Sequence, residues 1–509
     1  MSKKNLKIYK RFEPRPADFV LRELKSKPAS FWERKGENMA LDLFKFVYEN
    51  VPAYKKFLKK NKVPARIGSL EDFKKLPLTA KKDYLRKSDY PSLFPFKDVS
   101  VATTISATSG STGEPFYFPR ADFNDAQYER LAEVFLENQF SISSKKTLGI
   151  IGFGLGIWIG GMFTYKNLNR IAQKGYPLTL APVGANKDIY LKTFKKFAPH
   201  FDQVILMGYP PFVKDVLDSG KEYGVNWNKH NIKILTAAEG YSEDFRKYVA
   251  KKARIKNFLC DIINMYGTVE QGTIANETSF GNLIRKIASE NKKAFKALFP
   301  RATNIPTLTQ YFPNMVYFEE IDGHVVATNY GSSIPLIRYS FSDLGGVIGF
   351  DEMLEKLQGC GIDIIKEARK NGIEKQILHL PFVYVYARSD FAVVFRGANI
   401  YPEEIRAALD NPSLNKYITG RATMIRKEDG EFNQQLNILI ELRKKVYFSR
   451  RIKRKISRLI IEHLRINNSE FSYLYSLDAK KTTPVIFLKN FKDQRHFSDN
   501  GKHHWVKVK

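Results

Sequence analysis

Cysteine is nearly missing from this chain. Only Cys260 and Cys360 occur in 509 residues, which excludes a disulfide scaffold and any multi-cysteine zinc or iron–sulfur site. Histidine is also scarce, with 8 residues, and none of them stands at metal-ligand spacing with carboxylates, so no zinc site is assigned. Long apolar runs are lacking: the glycine-rich stretch Leu148–Phe163 falls short of the roughly 18 residues a membrane span needs. The N-terminal stretch MSKKNLKIYKRFEPRP has no apolar core, so no secretory leader is expected and the cytoplasm is the expected compartment. Acidic residues are outnumbered, 53 Asp+Glu against 83 Lys+Arg, for a net charge of +30.

What is present is enough for large packed cores. Hydrophobic residues make up 43% and aromatic residues 13% of the chain, which excludes wholesale disorder. The length exceeds the roughly 250–300 residues at which a single core stops growing, so more than one domain is expected. A basic balance this strong suits a binder of nucleic acid or of anionic membranes, or a soluble enzyme whose lysines are spread over a wide surface. From Phe391 onward there are 24 Lys+Arg against 12 Asp+Glu. The charge is thus denser at the C-terminal end but forms no continuous basic arm, which favours the dispersed reading.

The segment Ser26–Tyr90 reads as helical, with Leu41, Phe44, Val47 and Tyr48 at helical spacing and Ser69 followed by Asp72 as a helix start. After Thr104 short apolar strands alternate with amphipathic helices. Strands are expected at Lys146–Gly152, Gln203–Met207, Ile232–Thr236 and His324–Thr328, and helices near Phe123–Asn138, Ile189–Phe197, Pro211–Ser219 and Glu243–Ala253. This alternation predicts an α/β domain with stacked sheets, with ligands at the loops leaving the carboxyl ends of its strands. Beyond Arg388 a smaller α+β unit is expected: a helix at Pro402–Leu409, strands at Ala422–Arg426 and Asn433–Leu442 around the Asp429-Gly430 turn, and a basic helix at Ser449–Leu464. Ile452, Ile456, Leu459, Ile460 and Leu464 share one face of that helix, which reads as an outer helix packed on the hairpin rather than a membrane contact.

The segment Ser106-Ala-Thr-Ser-Gly-Ser-Thr-Gly-Glu-Pro115 places glycines among hydroxyl residues, a loop whose backbone N–H groups and hydroxyls suit phosphate oxygens. It lacks the Gly-Lys-Ser/Thr ending of the Walker loop. TSGSTGEP resembles the phosphate loop of the adenylate-forming superfamily of acyl-CoA synthetases, adenylation domains and luciferase-like enzymes. Five further segments, in order, are similar to its phenylacetate–CoA ligase and CapK-like branch: GFGLGIWIGG (152–161), AAEGYSED (237–244), NMYGTVE (264–270), PLIRYSFSDLG (335–345) and ARSDFAVVFRGANIYPEEI (387–405). The helical start, NVPAYKKFLKKNKVPARIGSLEDFKKLPLTAKKDYL, resembles that branch as well.

The resemblance implies a large N-terminal domain, 1–387, with its helical start to about 100; a hinge at 388–390; and a small mobile domain, 391–509. It implies ATP, Mg²⁺ and coenzyme A as ligands and a small carboxylic acid as substrate. Thr108, Ser109, Gly110, Ser111, Thr112 and Gly113 would hold the β- and γ-phosphates. Glu270 would bind Mg²⁺, Tyr266 with Gly267 would face adenine, Glu239 and Asn264 would hydrogen-bond beside it, and Asp343 would accept from the ribose hydroxyls. Arg388 would reach the ribose or phosphates, and Asp390 would be the hinge. The family's C-terminal catalytic lysine matches Lys502 of Asn500-Gly501-Lys502 best, with Lys489, Lys492, Lys480 and Lys481 as competitors. The loop Phe153–Phe163, including Leu155, Trp158 and Ile159, together with Tyr209 and Pro210, would line the acyl pocket and suit an apolar or aromatic acid. The basic residues Arg443–Lys445 and Arg450–Lys455 are the candidates for the phosphates of CoA.

The chain departs from the family pattern at several points. Val269 stands where a Ser/Thr is usual, Ser340, Phe341 and Ser342 replace Arg-Thr-Gly before Asp343, and Asn264 replaces an Asp. The activity implied is adenylation followed by transfer to CoA. A non-CoA acceptor is the alternative, followed by an anion-binding protein with impaired catalysis. No specific nucleic-acid partner is expected, and a homodimer is left open.

Overall fold

The computed structural model describes residues 16–63, 67–108, 115–389, 392–493, 496–497 and 505–506. It divides into two compact units: one of 1–106, 118–208 and 216–387, the other of 388–509 with the short segments 107–117 and 209–215. Its eighteen strands, in chain order, are β1 Thr104–Ala107, β2 Tyr117–Arg120, β3 Thr147–Ile151, β4 Leu178–Pro182, β5 Gln203–Gly208, β6 Ile232–Ala237, β7 Ile262–Thr268, β8 Gly272–Asn276, β9 Thr307–Gln310, β10 Val316–Ile321, β11 His324–Asn329, β12 Leu336–Ile348, β13 Phe382–Arg388, β14 Val393–Phe395, β15 Ala398–Ile400, β16 Ile418–Glu428, β17 Gln434–Leu442 and β18 Val485–Lys489.

The first unit is built on an eleven-stranded sheet in the order β10-β11-β12-β13-β9-β8-β7-β6-β5-β3-β4. From β4 to β7 the pairing is parallel. From β7 outward it turns antiparallel through β8, β9 and β13, and β10–β11–β12 is likewise antiparallel. The α/β class is as expected from the alternation, and within the antiparallel half β8 and β9 are joined by the registered pair Asn276↔Gln310. β3 and β5 are buried along their whole length, which is why they read as unbroken apolar runs. The helical start follows its local signals: Pro52 opens the helix Pro52–Lys60, and Ser69 caps Leu70–Lys74 by accepting from the Asp72 amide.

Two long helices, Asp122–Phe140 and Ile159–Gln173, lie side by side. Asp125, Glu129 and Glu133 recur every four residues on the first; Lys166 and Arg170 do so on the second, and Lys174 stands immediately after its end. They pair in three rungs: Lys166–Asp125 at 2.5 Å, Arg170–Glu129 at 2.5 Å and Lys174–Glu133 at 2.7 Å. The acids are nearly enclosed and the cations about one-third exposed, so salt screens these pairs less than surface pairs.

In the second unit β16 and β17 form a hairpin and β18 adds parallel to β17. At its turn Asp429 Oδ1 accepts from the amides of Glu431 and Asn433, an Asx turn that closes the hairpin where the Asp-Gly signal lies. The helix Arg450–Asn467 buries Ile456, Ile460 and Leu464 in the core beneath this sheet. This agrees with the outer-helix reading. Between β14 and β15 the turn uses Arg396 at φ 55° and Gly397 at φ 96°. A Cβ on Gly397 would lie 2.9 Å from the Tyr209 ring, so glycine is required there for space as well as conformation.

Candidate active site

β6 and β7 are adjacent parallel strands, so the loops leaving their carboxyl ends emerge side by side. The loop after β6 carries Ala238 and Glu239, and the end of β7 carries Tyr266 and Glu270. Asn264, buried within β7, ties the two together: its side-chain amide donates to the Glu239 carbonyl at 2.9 Å, and its side-chain oxygen accepts from Thr236 at 2.9 Å. Asn264 thus fixes the shape of the Glu239 loop, a role beyond the adenine-side hydrogen bond expected of it.

Tyr266 and Asp343 come together although they lie 77 residues apart: the phenol donates to Asp343 Oδ2 at 2.7 Å. Asp343 is buried and Tyr266 half-buried, and the Tyr266 ring lies parallel to Phe318, with centroids 6.4 Å apart. Gly267 follows at a register shift between β7 and β8. A Cβ there would stand 2.5 Å from the Gly272 carbonyl oxygen, so the strands could not close with any other residue. The residues preceding Glu239 and Asp343 both take left-handed backbone angles without being glycine, Ala238 at φ 75° and Ser342 at φ 66°. Ser342 occupies the position where the family pattern has glycine, so the substitution carries backbone strain next to Asp343.

A fully buried ion network underlies these loops. Arg246 grips Glu277 with two bonds of 2.9 and 3.0 Å, and Arg285 reaches the same carboxylate at 3.0 Å. Glu277 in turn accepts from the Asn264 amide at 2.8 Å. Arg246 also donates to the Ile262 carbonyl, and Arg285 to the carbonyls of Pro306 and Tyr241. Both guanidinium groups lie over the Tyr241 ring, at 5.1 and 5.7 Å. Burial works against the charge on Arg246, but Glu243 and Glu277 more than offset it and raise its pKa. Burial pushes the Tyr241 phenol up to about 12. These positioning residues carry no sequence signal of their own, since Glu243 and Arg246 look like an ordinary exposed i,i+3 pair.

Glu270 is half-buried on the turn after β7. Close by is the fully buried Arg120, which donates to the Phe118 and Val269 carbonyls. Burial lowers the Arg120 pKa to about 10, partly countered by Asp125 and Glu270. No cluster of three or more metal-ligating side chains occurs among the described residues. A site of one carboxylate completed by phosphate oxygens matches what Mg²⁺ takes from proteins, and Glu270 fits it.

The remaining expected site residues fall in different places. Thr108 closes the base of the phosphate loop, its hydroxyl accepting from the Phe116 amide at 3.1 Å and its own amide donating to the Phe116 carbonyl. Ser109, Gly110, Ser111, Thr112, Gly113, Asp390 and Lys502 lie outside the described residues. Arg388 ends β13, half-buried. Of the residues expected at the acyl pocket, Phe153 is buried, at 1% exposed. Leu155 and Trp158 are half-buried, and Tyr209 packs against Gly397 in the second unit. A partly open cavity lies in the first unit. It is lined by Tyr128, Leu131, Phe163, Gln271, Met315 and Val316 among others; of the expected loop Phe153–Phe163 it includes Phe163, and it includes neither Phe153, Leu155, Trp158 nor Tyr209.

No family model matches the chain. The phenylacetate–coenzyme A ligase of Thermus thermophilus is 22% identical over 394 residues, covering 76% of this chain and 77% of that relative. Among solved structures, 2-hydroxyisobutyryl-CoA ligase in complex with 2-HIB-AMP and CoA in the thioesterification state has a TM-score of 0.67 at 14% identity, covering 96% of this chain and 91% of that one. The same ligase in the postadenylation state with 2-HIB-AMP has a TM-score of 0.52 at 15% identity, covering 96% and 92%.

Proposed function

We propose that the chain is a member of the adenylate-forming acyl-CoA ligase superfamily, supported by its likeness to phenylacetate–coenzyme A ligase and to the fold of 2-hydroxyisobutyryl-CoA ligase, and that it is an AMP-forming ligase that activates a small carboxylic acid with ATP and passes the acyl group to coenzyme A. In the first half-reaction a carboxylate oxygen attacks the α-phosphorus of ATP and pyrophosphate leaves. In the second the CoA thiol attacks the acyl carbonyl, its proton is lost, and AMP leaves. Both reactants of the first step are anions, so the site must screen charge and hold them in line.

The observation that carries this reading is the bond from Tyr266 to Asp343. It joins two motif segments into one aromatic face with a buried carboxylate beside it. An acceptor-only carboxylate suits the two hydroxyls of a ribose, and the ring offers a stacking surface for adenine. Asn264 and the ions beneath it hold the Glu239 loop in place before any nucleotide arrives, so the protein has little to reorganise on binding. Thr108 anchors the phosphate loop, and Glu270 would hold Mg²⁺, which supplies charge neutralisation on the phosphates. Lys502 would meet the charge that develops between carboxylate and α-phosphate in the transition state. Arg388 would reach the ribose or phosphates, and Asp390 would act as the pivot between half-reactions.

The test is pyrophosphate release across a panel of carboxylic acids, with and without CoA, for the wild type and Lys502→Ala. Acid-dependent release that falls at least 100-fold in the variant, with CoA consumed mole for mole with acid, is the expected result. Release without CoA consumption would redirect the acyl group to another acceptor, and no release with any acid from folded protein would overturn the reading.

A further inference from the structure

Gln271 directly follows the expected metal ligand Glu270 and lines the cavity between the helix Asp122–Phe140 and strands β8, β10 and β11. It is 3% exposed, and neither the oxygen nor the nitrogen of its carboxamide has a hydrogen-bond partner among the described residues. Leaving both ends of a buried amide unpaired is costly, and native proteins rarely tolerate it without a ligand or a water to complete it. Other amides in the same wall are already used: Asn124 and Gln127 both donate to the Tyr330 carbonyl, at 2.7 and 3.2 Å. The backbone cannot swing Gln271 away, because Gly331 abuts it so closely that a Cβ there would lie 2.2 Å from the Gln271 carbonyl oxygen. Gly272 beside it holds φ 77° and faces the edge of Phe163.

The lining is mixed. Leu131, Phe163, Ile274, Met315 and Val316 supply apolar wall beside the polar Thr273 and Asn329, and Tyr128 packs on Phe163 with ring centroids 4.6 Å apart. A free interior of about 20 Å³ takes a group the size of a hydroxyl and not an aromatic ring. We propose that Gln271 is a specificity-determining residue for the acid. The distal end of the acyl group enters the Tyr128–Phe163–Met315 cavity and presents one small hydrogen-bonding group, a hydroxyl or its equivalent, to the Gln271 carboxamide. This rests on the carboxylate-activating reading of the site, and it replaces a wholly apolar or aromatic acid with an amphipathic one. A hydroxyl is both donor and acceptor, so it answers both unpaired ends of the amide. Sites that hydrogen-bond a substrate hydroxyl discriminate strongly against the analogue without it.

The experiment uses matched pairs of short carboxylic acids, identical in carbon skeleton but with or without a distal hydroxyl. Each is measured by pyrophosphate release and by calorimetric binding in the presence of a non-hydrolysable ATP analogue. The wild type is expected to favour the hydroxylated member at least ~10-fold in kcat/KM. Gln271→Met, close in volume, should abolish that preference through KM while keeping the melting temperature; Gln271→Asn provides a second variant should the first not fold. Turnover of both members with equal efficiency, a preference unchanged in the variants, or a water alone satisfying Gln271 with acid bound elsewhere would overturn the proposal. If no acid is turned over but hydroxylated acids bind and Gln271→Met loses them, the assignment of Gln271 stands and the activity reading falls. If nothing binds, both fall.

Discussion

Each unit is anchored by a buried glutamate, and the two are held in opposite ways. Glu277, in the first unit, is fully enclosed and gripped by the guanidinium groups of Arg246 and Arg285. Glu404, in the second, is just as hidden, at 3% exposed, but its partners are neutral: the Tyr401 amide at 2.8 Å and the Asn468 side-chain amide at 3.0 Å. Burial raises the Glu404 pKa to about 7, and the neighbouring acids Glu470 and Glu403 add to the rise. A buried carboxylate held by dipoles alone has its pKa raised by burial. The loops after β6 and β7 rest on the cationic arrangement. The second unit's helix Pro402–Leu409 rests on the other.

The sharpest way to break this contrast is to remove the anion from the first unit. Glu277→Ala leaves two buried guanidinium groups without their carboxylate and is expected to cost ~3–5 kcal/mol, read by chemical denaturation, with nucleotide binding lost in step. In the second unit the same kind of test is a pH titration. The Glu404 carboxyl is protonated in the folded chain at pH values where it is ionised in the unfolded one, so the folded state binds more protons. Stability is therefore greatest below about pH 4.5 as far as this group is concerned, and it falls as pH rises toward about 7, by on the order of 3 kcal/mol. Glu404→Gln should flatten that window in denaturant midpoints measured from pH 4.5 to 8; an unchanged slope would remove Glu404 as its source.

Smaller effects sharpen the comparison inside the site. Tyr266→Phe deletes the bond to Asp343 and is expected to weaken nucleotide binding by about 0.5–1.5 kcal/mol in calorimetry, with the fold intact. Ser342→Gly relieves the left-handed backbone beside Asp343. It should stabilise the protein by ~1 kcal/mol in denaturant midpoint, and no gain would mean the turn is already accommodated by its surroundings.

Much of this architecture is legible from residues alone. The parallel strands β3, β5 and β6 announce themselves as apolar runs, and the helix Arg450–Asn467 shows its buried face through Ile456, Ile460 and Leu464. Tyr266 and Asp343 stand out because each sits in a segment with a recognisable pattern. The Arg246–Glu277–Arg285 network does not, because a charged residue in an amphipathic helix looks the same in sequence whether it faces water or a buried partner from another element. Strands β8–β10, β12 and β13 are equally hidden, being short or of mixed polarity. The glycine loop's aromatic residues suggest an acyl pocket, but the cavity in the first unit lies mostly elsewhere. Of that stretch only Phe163 lines it, and its most informative wall residue is a glutamine, which hydrophobic patterning passes over.

The three-rung ladder between the helices Asp122–Phe140 and Ile159–Gln173 also bears on how this cavity can change over evolutionary time. Tyr128 and Leu131 belong to one helix and Phe163 to the other, so the ladder's spacing sets the phase in which they face each other. One residue inserted or deleted within either helix turns everything beyond it by about 100°, breaking the rungs on that side and rotating a cavity wall out of place. On the proposed role of the cavity, new acids would be reached by exchanging side chains at fixed positions, with changes in length confined to the loops outside the ladder.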